Sequence, residues 1–327
     1  MLPTSLVKCQ SALLVLTAFS FAPLPASSQE ALTPSSTTQV VLLGTGNPGP
    51  VPERSGPCTA IVVNGTPYLV DLGPGVVRRA MAAYRKGREE KLWNDGKGLH
   101  FSALKIAFIT HLHSDHTVGY PDFIFTPWVV GRAGPVDVYG PKGIKEMTAH
   151  IMEAWKEDIR IRTQGLEHEF PEHNDTGYKV NVHVVSPGII FQDQNVKVTA
   201  FHVKHGEWGP DAFGYRFETP DRIIVISGDT SPSQTTIDAC NGCDVLVHDV
   251  YTQKGFEAGS LSWQRYRLQY HTSSKQLGEL AGKAKPKLLV LTHQSYQFNL
   301  STEEDLMKEM NEAYRGRFVS GHDLDIF

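Results

Sequence analysis

The sequence predicts an α/β fold in which two sheets carry helices on their outer faces. Short apolar runs are followed by segments of helical composition, and this order occurs twice along the chain. The 327 residues are enough for one large α/β domain or two small ones. With 40% hydrophobic and 20% charged residues, the composition is that of an ordinary globular protein.

The apolar runs predict eleven strands, and the segments between them predict five helices. Asn64-Gly65 separates two of the runs, which is a strong signal for a hairpin. Strands are predicted at 40–43, 58–63, 67–71, 104–110, 136–139, 180–185, 196–203, 214–218, 222–227, 244–248 and 287–292. Helices are predicted at 76–86, 141–157, 231–240, 273–284 and 302–313. The segment 158–195 is less regular and rich in charge, His and Gly, which indicates a loop or lid near a site.

The N-terminus has the pattern of a secretory signal peptide. Lys8 precedes a short apolar stretch at 11–21, and small residues at 26–28 suit a signal peptidase. We therefore expect residues 1–28 to be a signal peptide, 29–39 a polar linker, and the mature protein to be secreted or periplasmic. An uncleaved membrane anchor is the alternative. No later segment is long and apolar enough for a stable membrane span.

The net charge of the chain indicates which classes of partner to expect. The formal net charge is −4, and such a chain lacks the surplus of Lys and Arg that general nucleic-acid binding needs, so no nucleic-acid partner is expected.

Cys58, Cys240 and Cys243 remain after the predicted cleavage. The CxxC spacing of the last two has no second CxxC beside it, which favours two structural thiols or a local disulfide over a redox pair or half a zinc site.

The run His111-Leu-His113-Ser-Asp115-His116 places four metal-ligand side chains within six residues. Imidazole nitrogens and carboxylate oxygens are the ligands that zinc and similar metals accept. A His-rich surface loop is the alternative, and it predicts no further ligands downstream. Further ligand types do follow apolar strands: His205, Asp229 and His293.

These seven residues divide between two metals. The first would be held by His111, His113, His205 and Asp229. The second would be held by Asp115, His116, His293 and a bridging Asp229. Because strand ends bring distant residues to one rim, the sequence predicts a two-metal centre there.

With these residues in place, the chain from residue 40 onward resembles the metallo-β-lactamase superfamily, whose signature is HxHxDH followed by spaced His, Asp and His. Within it, the chain is similar to the branch that contains RNase Z and the zinc-dependent arylsulfatases. The supporting motifs are Gly44-Thr-Gly46, the proline-rich stretch to Arg54, Asp71-x-Gly73, Gly228-Asp-Thr230, His248-Asp249, His271-Thr-Ser-Ser and Leu291-Thr-His-Gln-Ser295. The resemblance implies an αββα four-layer sandwich over 40–327 and two Zn²⁺ ions, with Mn²⁺ or Fe as alternatives. A homodimer is compatible with it.

The chain departs from RNase Z at two places. Asp249 stands where RNase Z has Glu after the histidine, and the Arg-Tyr that follows the last metal histidine is replaced by Tyr296-Gln297.

Three residues have predicted catalytic roles, and the resemblance implies those of His271 and Asp249. A two-metal centre lowers the pKa of bound water to about 7, and Asp115 would orient the resulting hydroxide and take its proton. His271, held by Asp249, would protonate the leaving group. A capping or core histidine is the alternative for His271. The choice of His205 rather than His202 as ligand rests on the resemblance.

The remaining histidines carry no metal prediction. His248 is predicted to be structural. No pattern supports a role for His100, His150, His168, His173, His183 or His322.

Three substrate classes compete for this centre. Export and the resemblance to secreted arylsulfatases favour a small-molecule sulfate ester, and a phosphodiesterase acting on cyclic nucleotides or other diesters is the alternative. Processing of tRNA 3′ ends ranks lower, since the chain is exported, acidic and lacks a long basic arm between Asp122 and His205. A lactonase or β-lactamase also ranks lower, because His271 and Asp249 are present. A non-catalytic binding module predicts lost ligands, and none is lost.

Overall fold

The computed structural model describes residues 37–92, 98–171, 173–296 and 300–327. The predicted signal peptide, residues 1–28, lies outside the described residues, as does most of the predicted linker. The first strand begins at Thr38, so the last two residues assigned to the linker belong to a sheet.

Two sheets form the centre of the fold. The first has six strands in chain order, antiparallel from β1 to β3 and parallel from β3 to β6. Its strands are β1 (Thr38–Gly44), β2 (Cys58–Val63), β3 (Thr66–Val70), β4 (Ile106–Phe108), β5 (Val136–Gly140) and β6 (Val180–Val184).

The second sheet has seven strands, in the order β13-β12-β11-β10-β9-β8-β7. It is parallel from β10 to β13 and antiparallel from β7 to β10. Its strands are β7 (Gly188–Gln192), β8 (Lys197–His202), β9 (Phe213–Glu218), β10 (Ile223–Ile226), β11 (Val245–Tyr251), β12 (Leu288–Ser295) and β13 (Phe318–Ser320).

The helices of the described residues lie between these strands along the chain. They are α1 (Val76–Glu89), α2 (Ser114–Thr117), α3 (Tyr120–Val129), α4 (Ile144–Ala154), α5 (Lys156–Gln164), α6 (Gln234–Cys240), α7 (Gln253–Ala258), α8 (Leu261–Tyr270), α9 (Ser274–Ala284) and α10 (Glu303–Ala313).

Three buried clusters show how the layers pack. Side chains of both sheets meet in one of them, where Phe108 and Phe217 lie edge to face. In the second, α1, α3 and α4 pack against the first sheet, and in the third, α6, α9 and α10 pack against the other. Each fully buried Leu or Phe contributes roughly 1.5–3 kcal/mol to folding. The layers follow in the order helix, sheet, sheet, helix, so the predicted αββα sandwich is confirmed.

The predicted hairpin at Asn64-Gly65 is confirmed. Val63 pairs with Thr66, and the two residues between them have φ values of 50° and 75°. A two-residue turn of this kind needs positive φ at both positions, which Asn and Gly adopt at the lowest cost. The turn fixes the register of β2 against β3.

Several elements differ from the prediction. The single helix predicted at 141–157 is split, since α4 ends at Ala154 and α5 begins at Lys156. The segment 158–195, predicted as less regular, contains most of α5 and all of β7 in addition to β6, which was predicted at 180–185. The pattern also missed α3, because Pro121 and Pro127 conceal a helix whose first turn accepts proline.

Arg132 compensates for the proline inside α3. Pro127 has no N–H to give to Phe123 O, and Arg132 Nη1 donates to that oxygen at 2.7 Å instead. Its other guanidinium hydrogen bonds reach the carbonyl oxygens of Leu104, Ile124 and Gly177. The side chain is fully buried, and burial lowers the pKa of Arg132 to about 9.

We therefore expect Arg132→Met to lower the free energy of unfolding by about 3 kcal/mol, because buried carbonyls lose charge-assisted donors. Urea denaturation of the protein measures this change in the free energy of unfolding. Arg78→Met, at an exposed position on α1, is the control and should change stability by less than about 0.5 kcal/mol. Equal urea midpoints for the two variants would show that the hydrogen bonds of Arg132 do not stabilise the fold.

Of the two structures predicted for Cys240 and Cys243, the local disulfide is present. Cys240 and Cys243 form a disulfide, and Cys58 is a buried free thiol. None of the helices in the described ranges has the length and apolar character needed to cross a membrane.

Candidate metal centre

The structure brings all nine sequence-predicted site residues to one rim of the two sheets. His111 to His116 lie on the loop and short helix that follow β4. Most of the others lie near or beyond the ends of second-sheet strands, and His271 lies between α8 and α9. The nine are His111, His113, Asp115, His116, His205, Asp229, Asp249, His271 and His293. His202 lies apart from them, exposed on β8 and stacked on Phe213.

His111, His113 and His205 form the first group of ligand atoms. His113 Nδ1 lies 2.9 Å from His111 Nε2 and 3.1 Å from His205 Nε2. His111 and His205 are fully buried. Burial lowers the pKa of all three imidazoles, and that of His205 falls to about 3. Neutral imidazoles offer their lone pairs to a cation.

Hydrogen bonds on the far side of the rings orient two of these histidines. His205 Nδ1 donates to the carbonyl oxygen of Tyr270 at 2.8 Å, which leaves its Nε2 unprotonated in the neutral ring. His111 Nδ1 lies 3.0 Å from Thr110 Oγ1. Such outer contacts set the tautomer and the ring orientation of metal-binding histidines. Trp208 Nε1 lies 2.6 Å from His113 Nε2, the ring nitrogen that is not part of the ligand group.

Asp115, His116 and His293 form the second group. Asp115 Oδ2 lies 3.1 Å from His293 Nε2 and 3.5 Å from His116 Nε2. Burial lowers the pKa of His116, but the carboxylates of Asp229, Asp71 and Asp115 outweigh it and raise that pKa well above its ordinary value. A cation at this group would replace the proton that these carboxylates attract.

Asp229 joins the two groups. Its Oδ2 lies 3.4 Å from His116 Nε2 and 3.2 Å from His293 Nε2, and it also approaches His111 of the first group. Burial raises the pKa of Asp229, but the charges of His293 and His116 outweigh it and hold that pKa well below the usual range. Gly228, at φ 62°, turns the chain out of β10 to present Asp229, and a Cβ there would lie 2.9 Å from Thr110.

A β-bulge aims His293 at the second group. In the pairing of β11 with β12, Asp249 faces Thr292 and Val250 faces Gln294, so His293 is an extra residue. It has a φ of 46°, in the left-handed region that non-glycine residues rarely occupy. Bulges next to active sites redirect single side chains, and here the bulge turns His293 toward Asp115 and Asp229.

His271 and Asp249 stand beside Asp229. His271 Nδ1 lies 3.0 Å from Asp249 Oδ2 and 3.9 Å from Asp229 Oδ2, and all three residues are buried. The side chain of Asp249 is shorter than the Glu that RNase Z has at this position, and it nevertheless contacts His271 directly. Ser273 and not His271 is the N-cap of α9, while His271 is the C-cap residue of α8. His248 lies beside the pair, with its Nδ1 2.8 Å from the Asp249 carbonyl oxygen.

Sequence reasoning did not assign a site role to Asp71, Thr110, Trp208 or Tyr270. Asp71 accepts hydrogen bonds from His116 Nδ1 at 2.8 Å and from the backbone N–H of Thr110 at 2.8 Å. Its position directly after β3 was the available signal, since polar residues at strand ends collect at one rim. No comparable signal marked the two aromatic residues.

The donor set fits divalent metal ions. His116 Nε2 is buried and has no hydrogen-bond partner, although it faces two carboxylate oxygens at 3.4 and 3.5 Å. Imidazole nitrogens converge in the first group, and imidazoles with carboxylates converge in the second. Mixed nitrogen and oxygen sites of this kind suit zinc and neighbouring transition metals.

Comparison with known proteins agrees with this geometry. Residues 66–294 match the family model described as a β-lactamase superfamily domain. The chain belongs to the metallo-β-lactamase superfamily. It is 30% identical over 290 residues to a Ribonuclease Z of Mycobacterium sp. (strain KMS), covering 88% of this chain and 94% of that one. Membership in this superfamily makes the chain a metal-dependent hydrolase.

Two solved structures share the fold. The metallo-β-lactamase fold protein YhfI of Bacillus subtilis superposes with a TM-score of 0.63 at 14% identity, over 89% of this chain and 98% of that one. The short form of human tRNase Z superposes with a TM-score of 0.61 at 21% identity, over 88% and 98%.

The substrate predicted from the sequence is wrong. Mycobacterial relatives of this chain carry the name Ribonuclease Z. This finding contradicts both a sulfate-ester substrate and the expectation of no nucleic-acid partner. The sulfate-ester prediction came from the export signal and the resemblance to secreted arylsulfatases, and the expectation of no nucleic-acid partner came from the net charge of the whole chain. A metal centre supplies positive charge where phosphate binds, so RNA hydrolysis does not require a basic protein overall.

Proposed function

We propose that this chain hydrolyses phosphodiester bonds in RNA, as a metal-dependent ribonuclease similar to RNase Z. The observation that carries the proposal is the His271–Asp249 pair at the edge of the two joined ligand groups. A ribose alkoxide is a poor leaving group and needs a proton as the bond to phosphorus breaks. The relationship to ribonucleases supports RNA as the substrate class.

Two zinc ions would be held by the two ligand groups, with Asp229 shared between them and Mn²⁺ or Fe as alternatives. When bound, such ions lower the pKa of water and neutralise charge on the phosphate oxygens. The far-side partners of the histidines, Asp71 and the Tyr270 carbonyl, keep the ligand nitrogens in place.

The side chains of the protein move the protons. Asp115 orients the attacking water and accepts its proton as oxygen adds to phosphorus. His271 gives a proton to the ribose oxygen as the phosphorus–oxygen bond breaks, and Asp249 keeps its Nδ1 oriented and stabilises the charged ring. The products are one hydroxyl end and one phosphate end.

An aromatic series on α8 supports a nucleic-acid substrate. The rings of Tyr266 and Tyr270 stack with centroids 4.4 Å apart, and Trp263 contacts Tyr266 at 5.5 Å. Tyr270 lies 6.2 Å from the ring of His113, so the series runs from the ligand groups to partly exposed Trp263. Stacking of a base on an aromatic ring contributes about 1–3 kcal/mol.

We expect the zinc-loaded protein to cleave a tRNA precursor, and His113→Ala to lower the rate by about 10³-fold, because the loss of a ligand removes several kcal/mol of charge stabilisation. A DNA strand of the same sequence and p-nitrophenyl sulfate are the comparison substrates. Hydrolysis of bis-p-nitrophenyl phosphate without any cleavage of RNA by the same preparation would overturn the assignment of RNA.

The proposed cellular location is secreted or periplasmic, with residues 1–28 as the cleaved signal and 29–39 as linker. Lys8 and the apolar stretch at 11–21 support it. Mass spectrometry of the protein from the medium or periplasm of an expression host tests this proposal. A chain that still begins at Met1 would reject it.

A further inference from the structure

Two histidines without a pattern in the sequence meet on the segment that follows α5. His168 lies in a short 3₁₀ turn at Leu166–Glu169, and His173 and Asp175 lie in the loop before β6. His173 Nε2 is 2.9 Å from His168 Nδ1 and 2.9 Å from Asp175 Oδ1. The two imidazole rings lie edge to face with centroids 4.4 Å apart. The three ligand atoms share no residue with the candidate metal centre.

A single hydrogen on His173 Nε2 cannot point directly at both of its neighbours. His173 Nε2 carries one hydrogen at most, and the Asp175 carboxylate only accepts. If that hydrogen points to Asp175, the contact with His168 has no donor directed along it. If His173 instead accepts from His168, its lone pair faces a carboxylate oxygen. A cation between the three atoms removes the conflict, because each would then direct a lone pair toward it.

The backbone around these ligands is held by the rest of the fold. Asn174 Oδ1 accepts from the backbone N–H of Gly177 at 2.6 Å, and the Asn174 carbonyl oxygen accepts from Trp128 Nε1 at 2.8 Å. The His173 N–H donates to Phe170 O at 3.0 Å. The bond from Trp128 attaches the loop to α3, and the other two fix its local backbone, which limits the freedom that ion binding would otherwise remove.

One side of the group is open. The side chain of Asp175 is 60% exposed and that of His173 is 12% exposed. His173 also borders a surface cavity of about 340 Å³ that Trp128 and Phe170 line. An ion can therefore enter from solvent and keep water in its remaining coordination positions, as three-ligand sites do.

We propose that His168, His173 and Asp175 form a third divalent-cation site, suited to zinc, which is separate from the candidate metal centre. Two imidazoles and one carboxylate are a ligand set that zinc accepts. The bound ion links the turn at Leu166–Glu169 to the loop attached to α3. It therefore orders a segment that the sequence marked as irregular.

The test compares zinc content between matched histidine variants of the full chain. Wild type, His173→Ala and His150→Ala are equilibrated with Zn²⁺, passed through a desalting column and analysed for zinc per chain. His150 is exposed on α4 and is the control. We expect wild type and the control to retain one more zinc per chain than His173→Ala. Equal zinc content in all three proteins would overturn the proposal.

Two further measurements distinguish loss of this cation site from loss of folding and from failure of the proposed function. Asp175→Asn changes a mostly exposed side chain, and it should lower zinc content as His173→Ala does. Zinc should also slow hydrogen exchange at 165–175 in wild type but not in either variant, and unchanged exchange in wild type would reject the site. Because the readout is a difference between variants, it holds whether or not the catalytic groups bind metal or cleave RNA.

Discussion

Replacing Asp229 with Asn is expected to lower RNA hydrolysis by about 10³-fold or more, since the ions would lose several kcal/mol of charge stabilisation. Asp229 is the carboxylate that faces both ligand groups, and its Oδ2 lies within 3.4 Å of two imidazole nitrogens. Asn keeps nearly the same volume but removes the negative charge. Zinc content per chain should fall with the rate, because a charged ligand shared by both ions is lost.

The control for this substitution is Asp137→Asn, which makes the same chemical change on β5, away from the ligand groups. It should retain wild-type zinc content and activity. Circular dichroism checks that both variants fold. If Asp229→Asn kept its zinc and cleaved RNA within about tenfold of wild type, Asp229 would not be the shared ligand.

Replacing His271 with Ala should have an effect that depends on the leaving group. Loss of a general acid costs about 10²–10⁴-fold when the leaving group needs a proton, so cleavage of RNA should fall within that range. Hydrolysis of bis-p-nitrophenyl phosphate should fall by less than about tenfold, because p-nitrophenolate is a stable anion that leaves without a proton. The ratio of the two rates measures the role of His271.

Asp249→Asn is the companion variant. It keeps a hydrogen-bonding group 3.0 Å from His271 Nδ1 but removes the charge that stabilises the protonated ring. Its effect on RNA should lie between wild type and His271→Ala, and added imidazole should restore part of the His271→Ala activity. An equal loss on both substrates would assign His271 to structure instead of proton donation.

Much of the fold could be predicted from the sequence because its signals are local. Alternating apolar runs and the Asn64-Gly65 turn gave most strands of both sheets within a few residues. The errors occur where local signals conflict or are weak. The prolines of α3 concealed a helix whose missing hydrogen bond is supplied by Arg132, a residue outside that helix.

The members of the candidate metal centre could also be predicted from the sequence and the resemblance, because most of them lie at or just beyond strand ends. The contacts that orient them could not. The bulge at His293 depends on the register between β11 and β12, and the orientation of His116 depends on Asp71, which lies 45 residues earlier in the chain.

The sequence by itself therefore determined the layered α/β fold, the ligand types and the strand ends from which they project. Those properties depend on residue spacing and strand periodicity, which are encoded locally. The sequence and the resemblance also predicted that Asp229 bridges the two ligand groups and that Asp249 holds His271. Only the tertiary structure decided that Asp71 orients His116, that a bulge directs His293, and that His168 and His173 meet. Such contacts depend on sheet register and on packing between distant segments, because each side chain is positioned by residues far from it in the chain.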